Sequence, residues 1–177
     1  YANAVFGKWH VGGGNPGVDH PNRFGIDTYA GNITGNIADY FDWELVENQQ
    51  EGRSTTYHTT AITDLARTWA QQQTNPFFLW VAYSAPHSPW HLPPADLHTQ
   101  DALTGDQADI DANRRAYFKA AIEAMDTEIG RLLNSLPEAT RNNTIVMFIG
   151  DNGSPRPVLD RDAFDTHGKN TLYEGGV

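Results

Sequence analysis

The sequence predicts an α/β domain with a largely parallel sheet flanked by helices. Two apolar runs without alternation, at residues 77–82 and 144–149, are typical of strands buried on both faces of a parallel sheet. Helical periodicity precedes each of these runs. Helix, strand, loop, helix and strand in this order favour an α/β architecture.

The first half of the chain adds shorter elements. Residues 4–6 form a short apolar strand among loops rich in Gly and Asn. Residues 43–46 read as one arm of a hairpin whose turn lies in residues 48–52. A helix begins near Thr59 and ends at Pro76, which cannot continue it. Its apolar face consists of Ile62, Leu65, Ala66 and Trp69.

A longer helix precedes the second apolar run. Apolar side chains recur at steps of three and four residues until Pro137, as a helix with one buried face requires. We expect this stripe to belong to the core. It comprises Phe118, Ile122, Met125, Ile129, Leu132 and Leu136.

Size, charge and composition narrow the class of protein. The 177 residues suit one domain covering 1–177, and 39% hydrophobic with 19% charged residues argues against disorder. Twelve basic against 22 acidic side chains give a net charge of −10, which disfavours a general nucleic-acid surface. The run at residues 77–82 is far shorter than the roughly 20 residues that cross a bilayer. Without cysteine there is no disulfide, thiolate metal site or cysteine nucleophile.

The two ends of the sequence predict an internal piece of a longer protein. The chain starts directly in an apolar segment without Met and stops at Gly175-Gly176-Val177 without a polar tail. The compartment is not encoded in these residues.

Polar residues follow each predicted strand of the parallel sheet, where ligands gather in open α/β sheets. They are Lys8 and His10 after residues 4–6, His87 after residues 77–82, and Asp151 with Asn152 after residues 144–149. We expect them to meet at one edge of the sheet. Lys169, in a loop that Gly168 keeps open, is a further candidate.

The residue types at this edge indicate an oxyanion-ester hydrolase. Asp151 and Asn152 offer the hard oxygen ligands that Ca²⁺ or Mg²⁺ prefers. Lysines and histidines bind an oxyanion and stabilise charge on a leaving oxygen. Neither the dinucleotide-binding nor the P-loop glycine pattern occurs, which weakens both nucleotide interpretations.

Each signal alone has a simpler interpretation. An Asp-Asn-Gly sequence is commonly a plain turn, and a single histidine is commonly structural. We place His58, His91 and His98 in that structural class.

Five landmarks, in the right order, resemble the sulfatase family. They are the G-K-W-H-x-G signature at residues 7–12, a G-[FI]-D-x-x-x-G segment at 25–31, P-F-F-L with A-P-H-x-P at 76–89, the helix, strand and D-N-G loop at 124–153, and G-K-x-x-x-Y-E-G-G at 168–176. Together they span nearly the whole chain.

This resemblance implies an alkaline-phosphatase-like fold and hydrolysis of sulfate esters with Ca²⁺, Mg²⁺ being an alternative. It implies these roles: Asp151 and Asn152 as metal ligands, Lys8 and His10 holding the sulfate and the nucleophile, His87 and Lys169 beside the bridging oxygen, and Asn32 lining the pocket. The implied partner is a sulfated small molecule or carbohydrate. A periplasmic or extracellular compartment is also implied by the resemblance alone.

The family's nucleophile does not occur in the sequence. It is a formylglycine made from Cys or Ser in a [CS]-x-[PA]-x-R motif, and Ser154-Pro155-Arg156 has the wrong spacing. We therefore expect an incomplete piece of a sulfatase domain that is inactive alone. A phosphonate monoester or phosphodiester hydrolase of the same superfamily, and a non-catalytic domain that binds sulfated ligands, remain alternatives.

Overall fold

A five-stranded mixed sheet forms the centre of the computed structural model, which describes residues 1–13, 16–155 and 158. The strands are β1 (Ala2–Gly7), β2 (Thr28–Gly31), β3 (Trp43–Glu47), β4 (Gln50–Ser54) and β5 (Phe77–Ala82). Their spatial order is β4-β3-β2-β1-β5. β1 pairs in parallel with β2 and β5, whereas β2–β3 and β3–β4 are antiparallel. The prediction of a largely parallel sheet is corrected to a mixed one.

Helices lie around this sheet in the described residues. They are α1 (His20–Arg23), α2 (His58–Gln71), a 3₁₀ turn (Ala95–Leu97), α3 (Gln107–Ala112), α4 (Arg114–Ser135) and α5 (Glu138–Asn142). The two predicted long helices are confirmed as α2 and α4. α2 contacts β1 and β5 on one side and α4 on the other. No helix in this part of the chain combines the length and apolar character needed to cross a bilayer.

The predicted hairpin is confirmed as β3–β4. Its two turn residues, Asn48 and Gln49, have φ values of 45° and 70°. Two successive residues with positive φ form the type of tight turn whose twist matches that of the flanking strands.

β5 is an edge strand rather than a strand buried on both faces. Its alternate residues Phe78 and Trp80 are 52% and 48% exposed. Leu79 and Val81 pack against the main core, and the Phe77 ring meets that of Trp69 at 5.5 Å. The apolar composition of this run therefore predicted more burial than β5 has, because the face that carries Phe78 and Trp80 is about half exposed.

Residues 144–149 do not form the predicted strand. They are irregular, and Ile145 and Ile149 are 89% and 80% exposed. β-propensity measures how well a side chain fits a pleated, partly buried surface, and it creates no strand without a neighbour. No strand among the described residues pairs with this segment. Its composition alone was therefore not enough to predict a strand.

α4 buries a different face from the predicted apolar stripe. Its residues Ala120, Ala121 and Ala124 are almost fully buried, whereas Ile122 is 39% exposed. Small side chains allow two helices to approach closely, and Ala124 shares a buried cluster with Ala61, Ile62 and Ala66 of α2. Leu132 and Leu136 of the predicted stripe are buried as expected.

A buried carboxylate also joins α2 to α4. Glu128 is 1% exposed, accepts a hydrogen bond from Thr60 Oγ1 at 2.7 Å, and pairs with Arg131 at 2.6 Å. Arg131 also reaches Asp64 on α2 at 2.6 Å. A charged group so buried is stable only while its partners remain in place.

Replacing Glu128 with Ala is therefore expected to lower the free energy of unfolding by about 3 kcal/mol, because Arg131 and Thr60 lose their partner. Urea denaturation measures this loss. The exposed Asp126→Ala change on the same helix is expected to stay within about 0.5 kcal/mol. A Glu128→Ala loss as small as that of the control would contradict this role.

Candidate active site

The carboxyl ends of β1, β2 and β5 meet at one edge of the sheet. The backbone N–H of Lys8, just after β1, donates to Ala82 O at the end of β5 at 2.8 Å. The next residue, Trp9, donates to Asn32 O just after β2 at 3.2 Å. These two hydrogen bonds hold Lys8 against the end of β5, and Asn32 against Trp9, the residue after Lys8.

Two glycines allow this close approach. A Cβ atom at Gly31 would overlap the backbone of Gly7, and one at Gly35 would overlap the His10 side chain. The loop after β2 therefore packs directly against His10, whose own φ is 46°. A histidine in this left-handed region is uncommon, and the surrounding contacts must hold it there.

Trp9 anchors the segment that carries Lys8 and His10. Its side chain is 7% exposed, its Nε1 donates to His20 Nδ1 at 2.9 Å, and its ring meets that of Tyr29 at 5.9 Å. With Trp9 buried, Lys8 is half-buried and His10 is exposed. Both basic groups thus project from a backbone that the tryptophan holds in place.

His87 lies in a loop held by aromatic side chains. The buried Tyr40 hydroxyl donates to His87 O at 2.8 Å, and the Tyr40 ring stacks on His91 at 3.8 Å. His91 in turn accepts from the Tyr57 hydroxyl at 3.0 Å and donates from Nδ1 to Pro89 O. Burial lowers the pKa of His91, which keeps this ring neutral at neutral pH.

The imidazole of His87 is exposed and has a defined tautomer. Its Nδ1 lies 2.7 Å from Ser88 O. Because a carbonyl only accepts, Nδ1 must carry a proton, and Nε2 is left to exchange one with a bound molecule. This arrangement suits proton donation once the ring is an imidazolium.

Asn32 is held in a buried polar cluster with His58 and Ser84. Its Oδ1 lies 3.0 Å from His58 Nε2 and 3.5 Å from Ser84 Oγ, and Asn32 is 3% exposed. Burial lowers the pKa of His58 to about 3, so its neutral ring donates from Nε2. Within the described residues, Asn32 Nδ2 is a buried donor without a partner. An unpaired buried donor is costly, and an oxyanion is the kind of group that would accept from it.

The described structure does not place the remaining predicted residues at this edge. Asp151 and Asn152 lie in an exposed bend after residues 144–149, and Lys169 lies outside the described residues. The described part of the chain contains no group of three or more His, Cys, Asp or Glu side chains placed to hold a metal. Two oxygen donors suit Ca²⁺ in type but fall short of its six to eight ligands. Their role as metal ligands stays a prediction.

An open cleft of about 550 Å³ lies beside His87. Its walls also include Asn36 and Ile37 from the loop after β2, and Gln107, Ile110 and Asp111 from α3. The polar members of this set were not anticipated from the sequence, because no motif marks them and α3 reads as an acidic surface segment.

The chain is similar to known proteins along its whole length. The family model described as Sulfatase matches residues 1–177. The chain belongs to the sulfatase family. It is 28% identical over 203 residues to N-acetylgalactosamine-6-sulfatase of Rattus norvegicus, covering 100% of this chain and 36% of that protein. It is also 28% identical over 197 residues to arylsulfatase J of Mus musculus, covering 100% of this chain and 31% of that protein.

Solved structures show that this sulfatase chain has the alkaline-phosphatase-like fold. The yidJ sulfatase structure from Bacteroides fragilis matches with a TM-score of 0.59 at 18% identity, covering 80% of this chain and 38% of that one. A Bacteroides thetaiotaomicron structure from work on glycosaminoglycan metabolism matches with a TM-score of 0.56 at 15% identity, covering 80% of this chain and 37% of that one. The chain spans about a third of the length of the curated relatives it matches.

The neutral His58 predicts a pH-dependent stability. Its pKa is about 3 when folded against an ordinary 6.5, so the unfolded chain binds more protons between these values. Well above pH 6.5, His58 adds no pH dependence to the free energy of unfolding. As the pH falls from 6.5 towards 3, the free energy of unfolding decreases. At pH 5 the loss is about 2 kcal/mol.

Urea denaturation of wild type and His58→Gln at pH 7.5 and pH 5 measures this effect. The glutamine amide can still donate to Asn32 but does not titrate, so the variant is expected to lose less stability on acidification. Equal pH dependence of the two proteins would show that His58 is not the group responsible.

Proposed function

We propose that the protein hydrolyses sulfate esters, and that this chain supplies the side of the active site that holds the sulfate and the leaving group. The observation that carries the proposal is the convergence of the G-K-W-H-x-G segment with the His87 loop at one sheet edge. The backbone N–H of Lys8 bonds to Ala82 O at the end of β5 there, and that of Trp9 bonds to Asn32 O. Membership of the sulfatase family along the whole chain supports this choice of oxyanion.

Lys8, His10 and Asn32 are proposed to bind the sulfate oxygens. A lysine ammonium attracts the anionic group, the exposed His10 ring can donate a hydrogen bond to it, and the Asn32 amide offers a donor without a partner among the described residues. Because the His58 hydrogen bond engages Asn32 Oδ1, the amide can present only its N–H₂ group. The Asn32 N–H₂ group can then bind an acceptor such as an anion, but not another donor.

His87 is proposed to act as the general acid. When the sulfur–oxygen bond of the ester breaks, its electron pair stays on the leaving oxygen, which then takes the proton from His87 Nε2. The Nδ1 hydrogen bond to Ser88 O orients the ring for this transfer. Lys169 is proposed to stabilise the same oxygen.

Two further components of the proposal come from the family resemblance. A formylglycine nucleophile would have to come from outside this chain, which contains no cysteine. Asp151 and Asn152 are proposed to give two oxygen ligands to a Ca²⁺ or Mg²⁺ site, the other ligands coming from outside the described residues. Such a cation would supply positive charge beside the nucleophile and the sulfate.

We expect the full-length protein to hydrolyse aryl sulfates in preference to phosphodiesters. His87→Ala is expected to slow sulfate esters of poorly acidic leaving groups by about 10²–10⁴-fold, and activated aryl sulfates much less, because the latter need no proton. Steady-state kinetics with leaving groups of graded pKa measures this difference. His98→Ala, which removes a histidine bonded to Pro93 O, is the control.

Two results would contradict these roles. Equal slowing of good and poor leaving groups by His87→Ala would assign His87 to positioning. Faster hydrolysis of phosphodiesters than of sulfates would assign the protein to the phosphoester branch of the superfamily.

The metal proposal predicts that Asp151→Asn weakens Ca²⁺ binding by the full-length protein, since one carboxylate ligand loses its charge. Isothermal titration calorimetry measures the affinity independently of turnover. Asp126→Asn, an exposed change on α4, is expected to bind as wild type does. Unchanged affinity of the Asp151 variant would remove this residue from the site.

A further inference from the structure

The open cleft beside His87 has a distinctive charge distribution. Of the described residues that line it, Asp111 alone carries a carboxylate, and none is a lysine or arginine. Asp111 Oδ1 accepts from Arg114 Nη2 at 2.8 Å, and Oδ2 accepts from Gln107 Nε2 at 3.2 Å. Both donors lower the pKa of Asp111, so its carboxylate is ionised at neutral pH.

The cation paired with Asp111 is Arg114, which also contacts a wall of the cleft. The Arg114 guanidinium lies 5.4 Å from the centre of the Trp90 ring, and Arg114 is not part of the lining. It offsets part of the negative charge of Asp111, whose carboxylate is the acidic group among the described lining residues.

The other walls suit a neutral ring with hydroxyl groups. Ile37, Trp90 and Ile110 provide apolar surface, and the amides of Asn36 and Gln107 can both donate and accept. A hydroxyl group can also donate to Asp111. A second anionic group could not, and it would be repelled there.

We propose that this cleft is the leaving-group subsite and that Asp111 makes it select neutral leaving groups over anionic ones. The inference rests on the proposed function, because His87 in the cleft wall is the group assigned to protonate the leaving oxygen. Esters whose leaving group is a neutral hydroxylated ring are then the preferred class. Those whose leaving group carries a carboxylate or a second sulfate are poor substrates.

The test uses two aryl sulfates in the full-length protein. One carries a hydroxymethyl group and the other a carboxylate at the same meta position, so that the two phenols have similar acidity. We expect wild type to prefer the neutral ester by about tenfold in kcat/KM, mainly through KM. Asp111→Asn is expected to shrink this preference to about twofold by improving the KM of the carboxylate ester.

A second variant changes the charge in the opposite direction. Arg114→Gln removes the cation that offsets Asp111, so the preference for the neutral ester is expected to increase. A purely structural effect of the α3–α4 contact would not shift the two variants in opposite senses. Asp126→Asn, remote from the cleft lining, is expected to keep the wild-type preference.

The outcomes separate the two proposals. An unchanged preference in both variants, or a wild-type preference for the carboxylate ester, would overturn the role of Asp111 while leaving sulfate hydrolysis intact. Failure of wild type to hydrolyse either ester would overturn the proposed function and this inference with it.

Discussion

The close approach of the backbones at Gly7 and Gly31 is the constraint on which the candidate site depends. A Cβ atom at Gly31 would overlap Gly7, so the ends of β1 and β2 can lie this close only with glycine there. The hydrogen bonds that bring Lys8, Asn32 and the end of β5 together follow directly after these positions. A bulkier residue at either glycine would separate the strand ends and move every group that the loops carry.

Buried neutral histidines complement the charged groups at this edge. His58 and His91 lie behind the loops, and burial lowers the pKa of both. They work as hydrogen-bonding groups, one for Asn32 and one for Tyr57. Lys8 and His10 are the more accessible basic side chains at this edge, in a chain whose net charge is −10. The histidines that act as hydrogen-bonding groups are thus less exposed than the histidine proposed to meet an anion.

Local patterns predicted α2, α4 and the β3–β4 hairpin, because periodicity and turn chemistry act between neighbours in the sequence. The shared edge of β1 and β5, which carry the segments of Lys8 and His87, was also predictable, since parallel strands place their carboxyl ends at one edge. Features that depend on distant partners were not. The open face of β5, the alanine face of α4 and the contribution of α3 to the cleft are set by what packs against them.

The exposure of the candidate metal ligands Asp151 and Asn152 is linked to the lack of strand pairing in residues 144–149. Asp151 and Asn152 follow this segment directly, so their position is decided by whether it pairs with a strand. The proposed role of Asp151 as a metal ligand therefore depends on how residues 144–149 pair, whereas the edge around Lys8 already has its hydrogen-bonded strands.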